Sequence, residues 1–166
     1  MTWEQVKPFS QAKAGKTKNM CLANVRAGYQ IKNILPTAWT AWQQTEQHKG
    51  TPPAGVDVPV FFSYTATIDG VLKNWGHIGV RLKNGKFWSD GVIYTNIAAY
   101  TANHSPRYVG WGESVNNERV IKGDDMYKNK SAKYWYDQSV KYRNAWKKET
   151  TRRAQLWDKI KGLFNK

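Results

Sequence analysis

A chain of 166 residues that holds one cysteine and three histidines leaves few places for thiol chemistry. The cysteine stands in "KNMCLANVRAGYQI", where Asn19 can cap a helix and Cys21 falls in its first turn. Unpaired N–H groups and the positive end of the helix dipole favour a thiolate there. The same N–H groups can receive an oxyanion when a thiolate attacks an acyl carbon, with the Cys21 backbone and Asn19 as the candidate donors. A base is also needed. His77, in "NWGHIGVRLKNGKFWSDG", has Gly76 and Gly79 beside it, small enough for a helix end and a substrate to come close. Each residue also has a plainer reading: a lone cysteine is often a small buried hydrophobe, and a strand histidine can be a satisfied core ring.

Hairpin geometry suggests a third member. With Asn84-Gly85 as a two-residue turn, Lys83 faces Lys86, Arg81 faces Trp88 and His77 faces Val92. Asp90 then shares the face of His77, diagonally across the strand pair, where it could orient the imidazole. "SDG" could instead simply make the next turn, and a bulge of one residue would reverse the facing. Asn96 is the reserve orienter.

The elements that must position these groups follow from periodicity. The first eighteen residues read as a loose arm or an early helix. A helix is expected over about 20–31, with Leu22, Val25 and Tyr29 as its inward stripe, and a second from Thr37 through "TAWTAWQQTEQH". From Asp57 the chain is dense in Val, Phe, Tyr, Ile and Trp, with turn signals at Asp69-Gly70, Asn84-Gly85 and Asn116-Asn117. Four to six short antiparallel strands after two helices make an α+β domain over 19–121. Residues 122–166 read as a helical tail, with Trp146, Trp157, Ile160 and Phe164 near one face and the boundary between about 121 and 128. That tail carries thirteen Lys/Arg against five Asp/Glu, a net +8 of the formal +14 of the whole chain.

Such a charge points to an anionic partner: nucleic acid, acidic lipid or a wall polymer. One cysteine excludes an internal disulfide framework. His48, His77 and His104 lack the clustering of a zinc site, so neither metal nor cofactor is expected. The start has no apolar signal segment and no run is long enough for a membrane span, so a soluble cytoplasmic product is expected. Among the nine tryptophans, Trp75 lies two residues before His77, and Trp111 stands between glycines in "VGWGES". Either could floor a groove for a peptide or sugar, or fill the core; Tyr64 and Trp88 read as structural.

A helix-borne cysteine, then "GHIGV" on a strand, then an acidic residue in "WSDG" resembles the cysteine, histidine-dependent amidohydrolase/peptidase group and its NlpC-type relatives. "YVGWGESVNNERVI" is similar to the closing hairpin of lysins from phages of Gram-positive bacteria. The resemblance covers about residues 15–121. It implies a papain-like peptidoglycan hydrolase with Cys21 as nucleophile, His77 as general base and Asp90 as orienting acid, cleaving a wall amide as an amidase or endopeptidase. It also implies action at the bacterial wall, reached by lysis or on a virion. The chain departs from the pattern at Met20, where many members have glutamine. The basic tail could pack on the domain, bind teichoic acids or an anionic membrane, or dock on a phage structural protein. Two other classes compete: a non-enzymatic phage structural or wall-binding protein, and a single-strand nucleic-acid-binding module. The latter leaves the Cys-His-Asp order unexplained, so nucleic acid is the weaker partner.

Overall fold

The computed structural model describes residues 2–104 and 106–123, all within the first of two units into which the chain divides, Met1–Asp124. Strand β1 (Trp3–Gln5) comes first, then helices α1 (Cys21–Gly28) and α2 (Ala38–Gln44). Seven strands follow: β2 (Gln47–His48), β3 (Val58–Ser63), β4 (Thr65–Ile68), β5 (Val71–Asn74), β6 (His77–Arg81), β7 (Phe87–Ser89) and β8 (Val92–Tyr94). Helix α3 (Ile97–His104) precedes β9 (Arg107–Gly112), β10 (Ser114–Val115), β11 (Glu118–Arg119) and β12 (Ile121–Gly123). The class is α+β. Six antiparallel strands form one sheet in the order β2-β9-β3-β6-β7-β8, with three separate two-stranded ladders.

Strand β3 runs "VPVFFS" because it is paired on both sides and covered on both faces; its first five residues are buried. The period-2 alternation sorts side chains between two cores. Phe61, Ile78, Val80 and Trp88 face α1 and α2, meeting the stripe Leu22, Val25 and Tyr29 together with Ala38, Ala41 and Trp42. Phe62, Phe87, Tyr100 and Trp111 form the second cluster, into which α3 contributes Tyr100.

Three local readings are corrected. Residues 1–18 are no loose arm: β1 pairs with β12, and Phe9 and Ala14 enter the core. Asn19 does not cap α1. It takes φ 63°, Met20 is the cap residue, and no side chain caps the helix. The Asn84-Gly85 hairpin is not a two-residue turn, since Arg81 pairs with Phe87 and Val80 with Trp88. Leu82 N–H donates to the Lys86 carbonyl at 2.8 Å, and Gly85 N–H to the Leu82 carbonyl at 2.8 Å. The connection is thus a three-residue loop whose last residue, Gly85, has the positive φ such loops require. By contrast, Asp69-Gly70 and Asn116-Asn117 do form two-residue turns, between Ile68 and Val71 and between Val115 and Glu118.

The proposed tail lies outside the described residues except for Lys122 and Gly123, which belong to β12. Among the described residues, no helix is long and apolar enough to cross a membrane.

Candidate active site

Cys21 is the first residue of α1, half-buried and unbridged. Its thiol lies against the backbone N–H of Ile78, and the N–H groups of Leu22 and Cys21 itself also favour the thiolate. Burial outweighs them and, with the nearby charge of Asp90, pushes the thiol up to about 11. Neutral thiol is therefore the resting form.

His77 opens β6 on the opposite face from Ile78 and Val80. Its ring stacks on Tyr100 at 5.4 Å between centroids and 19° between planes, and tilts against Phe62. Burial, with a contribution from His104, pulls the imidazole down to about 4. Nε2 makes a 2.9 Å hydrogen bond with the Ser89 hydroxyl.

That bond overturns the orienter assignment. The loop has one residue more than a two-residue turn, so the register slips by one and every β7 side chain changes face. Ser89, buried, becomes the diagonal neighbour of His77. Asp90 instead turns toward α1 at φ 47°, where its Oδ1 accepts from Asn24 Nδ2 at 2.7 Å; Asn24 Nδ2 also donates to the Thr17 carbonyl at 2.8 Å. Asn24, within α1, thus ties the β7–β8 turn through Asp90 and the preceding segment through Thr17, and desolvation raises the Asp90 pKa. Asn96, the reserve, accepts from Ala99 N–H at 2.8 Å at the start of α3. Neither residue touches the imidazole.

The flanking glycines are required, though for different neighbours than expected. A Cβ on Gly76, which has φ 69°, would collide with the backbone of Trp39 at the start of α2, and one on Gly79 with the Phe87 ring. Trp111 is a core residue. It is 5% exposed, stacks on His48 at 4.1 Å and meets Trp3 edge-on, while its glycines accommodate His48 backbone and Thr45. Trp88 is buried, and Tyr64 is 49% exposed.

Trp75 does border the cysteine. Its Nε1 donates to the Ala66 carbonyl at 2.9 Å and Lys73 lies 3.9 Å above its ring. Together with Asn19, Met20, Cys21, Ile34 and Ile68 it lines a groove of about 300 Å³. The structure therefore brings Cys21, Asn19 and Trp75 to one groove and places His77 one residue from the thiol's backbone partner. No hydrogen bond joins Cys21 to His77. Among the described residues, no cluster of three or more His, Cys, Asp or Glu could hold a metal ion. No family model, curated protein or solved structure matches this chain.

Proposed function

We propose that this protein is a papain-like peptidoglycan hydrolase of the phage-lysin type, endolysin or virion-associated, which cleaves a wall amide through Cys21 and His77. The observation that carries the reading is the setting of Cys21. Its sulfur sits at the start of a helix, on the edge of a groove, against three backbone N–H groups, one of them from the residue after His77. Ser89, rather than Asp90, serves as the orienting group.

Thiol and imidazole are both neutral at rest, so proton transfer accompanies attack instead of preceding it. With Ser89 on Nε2, Nδ1 is the nitrogen left to take the thiol proton as sulfur bonds to the amide carbon, a step that requires ring and thiol to close the separation they have at rest. Helix-start N–H groups hold the oxyanion. The C–N bond then breaks as imidazolium protonates the departing amine. Water, deprotonated by His77, opens the thioester and frees the acid. Trp75 floors the groove for the acyl-side peptide. Amidase and endopeptidase specificity share this chemistry and differ only in which amide reaches the sulfur.

The missing hydrogen bond between Cys21 and His77 favours a second reading, a non-enzymatic wall-binding protein on an inactive hydrolase fold. Turbidity and released amino groups from Gram-positive walls separate the two. The hydrolase reading predicts clearing by the parent and none by Cys21→Ser or His77→Ala. Sedimentation with walls without turbidity loss, by the parent, selects the second. Mass spectra of the fragments identify the bond.

A further inference from the structure

We infer that Tyr100 is a positioning residue for His77: its phenol oxygen takes the Ser89 proton, which leaves Ser89 to accept from Nε2–H and keeps the lone pair on Nδ1. Only the use of that lone pair rests on the hydrolase reading; the place of the proton does not. Tyr100 is the one buried residue of α3, at 5% exposure. Its ring lies between two imidazoles, stacked on His77 at 5.4 Å and 19° and on His104 at 4.7 Å and 16°. His104 is itself fixed behind it, since the Tyr100 carbonyl accepts from His104 Nδ1 at 3.1 Å and the Tyr94 hydroxyl stands 3.4 Å from Nε2. Tyr94 also meets Tyr100 and His104 edge-on, at 5.1 Å and 5.4 Å. A phenol ring packed on both faces keeps its hydroxyl aimed one way.

Counting protons then decides the tautomer. Ser89 is 4% exposed, and its hydroxyl has one proton to give. That hydroxyl has two partners, His77 Nε2 at 2.9 Å and the Tyr100 phenol. Were Ser89 to give its proton to Nε2, the imidazole N–H would move to Nδ1, which has no acceptor among the described residues. A buried N–H without an acceptor is the rarer and costlier orphan. With the proton given to the phenol instead, Nε2–H is used and Nδ1 keeps its lone pair. The phenol is suited to accept. Burial pushes its pKa above the ordinary value, Ser89 pulls the other way, and the Asp90 carboxylate adds to the rise. A negative charge nearby holds the phenol's own proton and draws it toward itself, so the phenol meets Ser89 as an acceptor.

The test reads the His77 ring by nitrogen NMR of the full-length parent at pH 7.5, where an imidazole held at about 4 is neutral, with His77→Gln assigning its signals. His77 is expected in the Nε2–H form. Tyr100→Phe keeps the stack and removes the acceptor, and should raise the ratio of Nδ1–H to Nε2–H roughly fivefold, the factor one neutral hydrogen bond supports. Adding Tyr100→Phe to Ser89→Ala should change that ratio no further, because no hydroxyl remains to relay the effect. On walls, Tyr100→Phe should lower kcat by roughly the same factor while leaving KM within about a factor of two. An Nδ1–H ring in the parent, or a ratio unmoved by Tyr100→Phe, overturns the inference. Should Tyr100→Phe fail to fold, Ser89→Ala alone must raise the Nδ1–H share, and an unmoved ratio there overturns it equally. Wall clearing by the parent is read separately. A Tyr100-dependent tautomer in a parent that clears no walls sinks the hydrolase reading and leaves this assignment standing; clearing with an unmoved tautomer does the reverse.

Discussion

Acidification should unfold this protein through one ring, and the size of the effect follows from where the ring sits. His77 is packed between Phe62 and Tyr100, and burial moves its pKa from an ordinary 6.5 to about 4. Between those values the unfolded chain binds a proton that the folded chain refuses. Stability contributed by the neutral ring is therefore complete above pH 6.5 and falls as pH drops toward 4. At pH 5 the linkage amounts to about 2 kcal/mol, a large part of a typical domain's stability. Urea unfolding at pH 7.5 and pH 5.0, on the parent and on His77→Gln, isolates this group, because the other titrations are common to both proteins. The parent should lose about 2 kcal/mol more than the variant between the two pH values. Equal losses would refute the burial argument and return the imidazole to solvent.

Cys21 should react slowly with iodoacetamide at pH 7, its rate still climbing at pH 9.5, because a thiol held at about 11 has not reached its plateau there; a plateau below pH 9 would contradict the burial. Ser89→Ala should lower kcat on walls by about tenfold while leaving KM within a factor of two, and should move the acid limb of the pH profile, since it frees the imidazole without touching the groove. Asp90→Ala should leave kcat near the parent value but cost about 1–3 kcal/mol in urea unfolding, through the lost Asn24 hydrogen bond; the opposite pattern would restore Asp90 as the orienter. Gly79→Ala should destabilise by about 1–3 kcal/mol, because its methyl meets both the Phe87 ring and the Trp88 backbone carbonyl, and a neutral result in thermal melts would contradict this close packing of β6 on β7.

Much of this architecture was legible because the signals were local and strong. The apolar stripe of α1, the Asp69-Gly70 turn and the buried texture of β3 each need only a few neighbouring residues to read. The partner of His77 was not legible, since its identity depends on a count. Whether the β6–β7 loop holds two residues or three decides which of two consecutive side chains, Ser89 or Asp90, faces His77, and "KNGK" suits both loops. Trp111 misled for a related reason. Glycines on either side of a ring signal close approach, but the approaching groups are His48 backbone and Thr45, not a ligand. Helix α3 went unread because its hydrophobic pattern is weak, only Tyr100 being buried. Trp3 escaped notice since a strand of three residues is set by its distant partner β12.

The enzyme reading stands or falls on one sulfur atom. Amino-group release from purified Gram-positive walls should drop by about a thousandfold or more in Cys21→Ala, since a nucleophile's removal leaves only binding and the oxyanion site. Release by that variant at the parent's rate would mean that the bond is cut, if at all, by something other than this thiol.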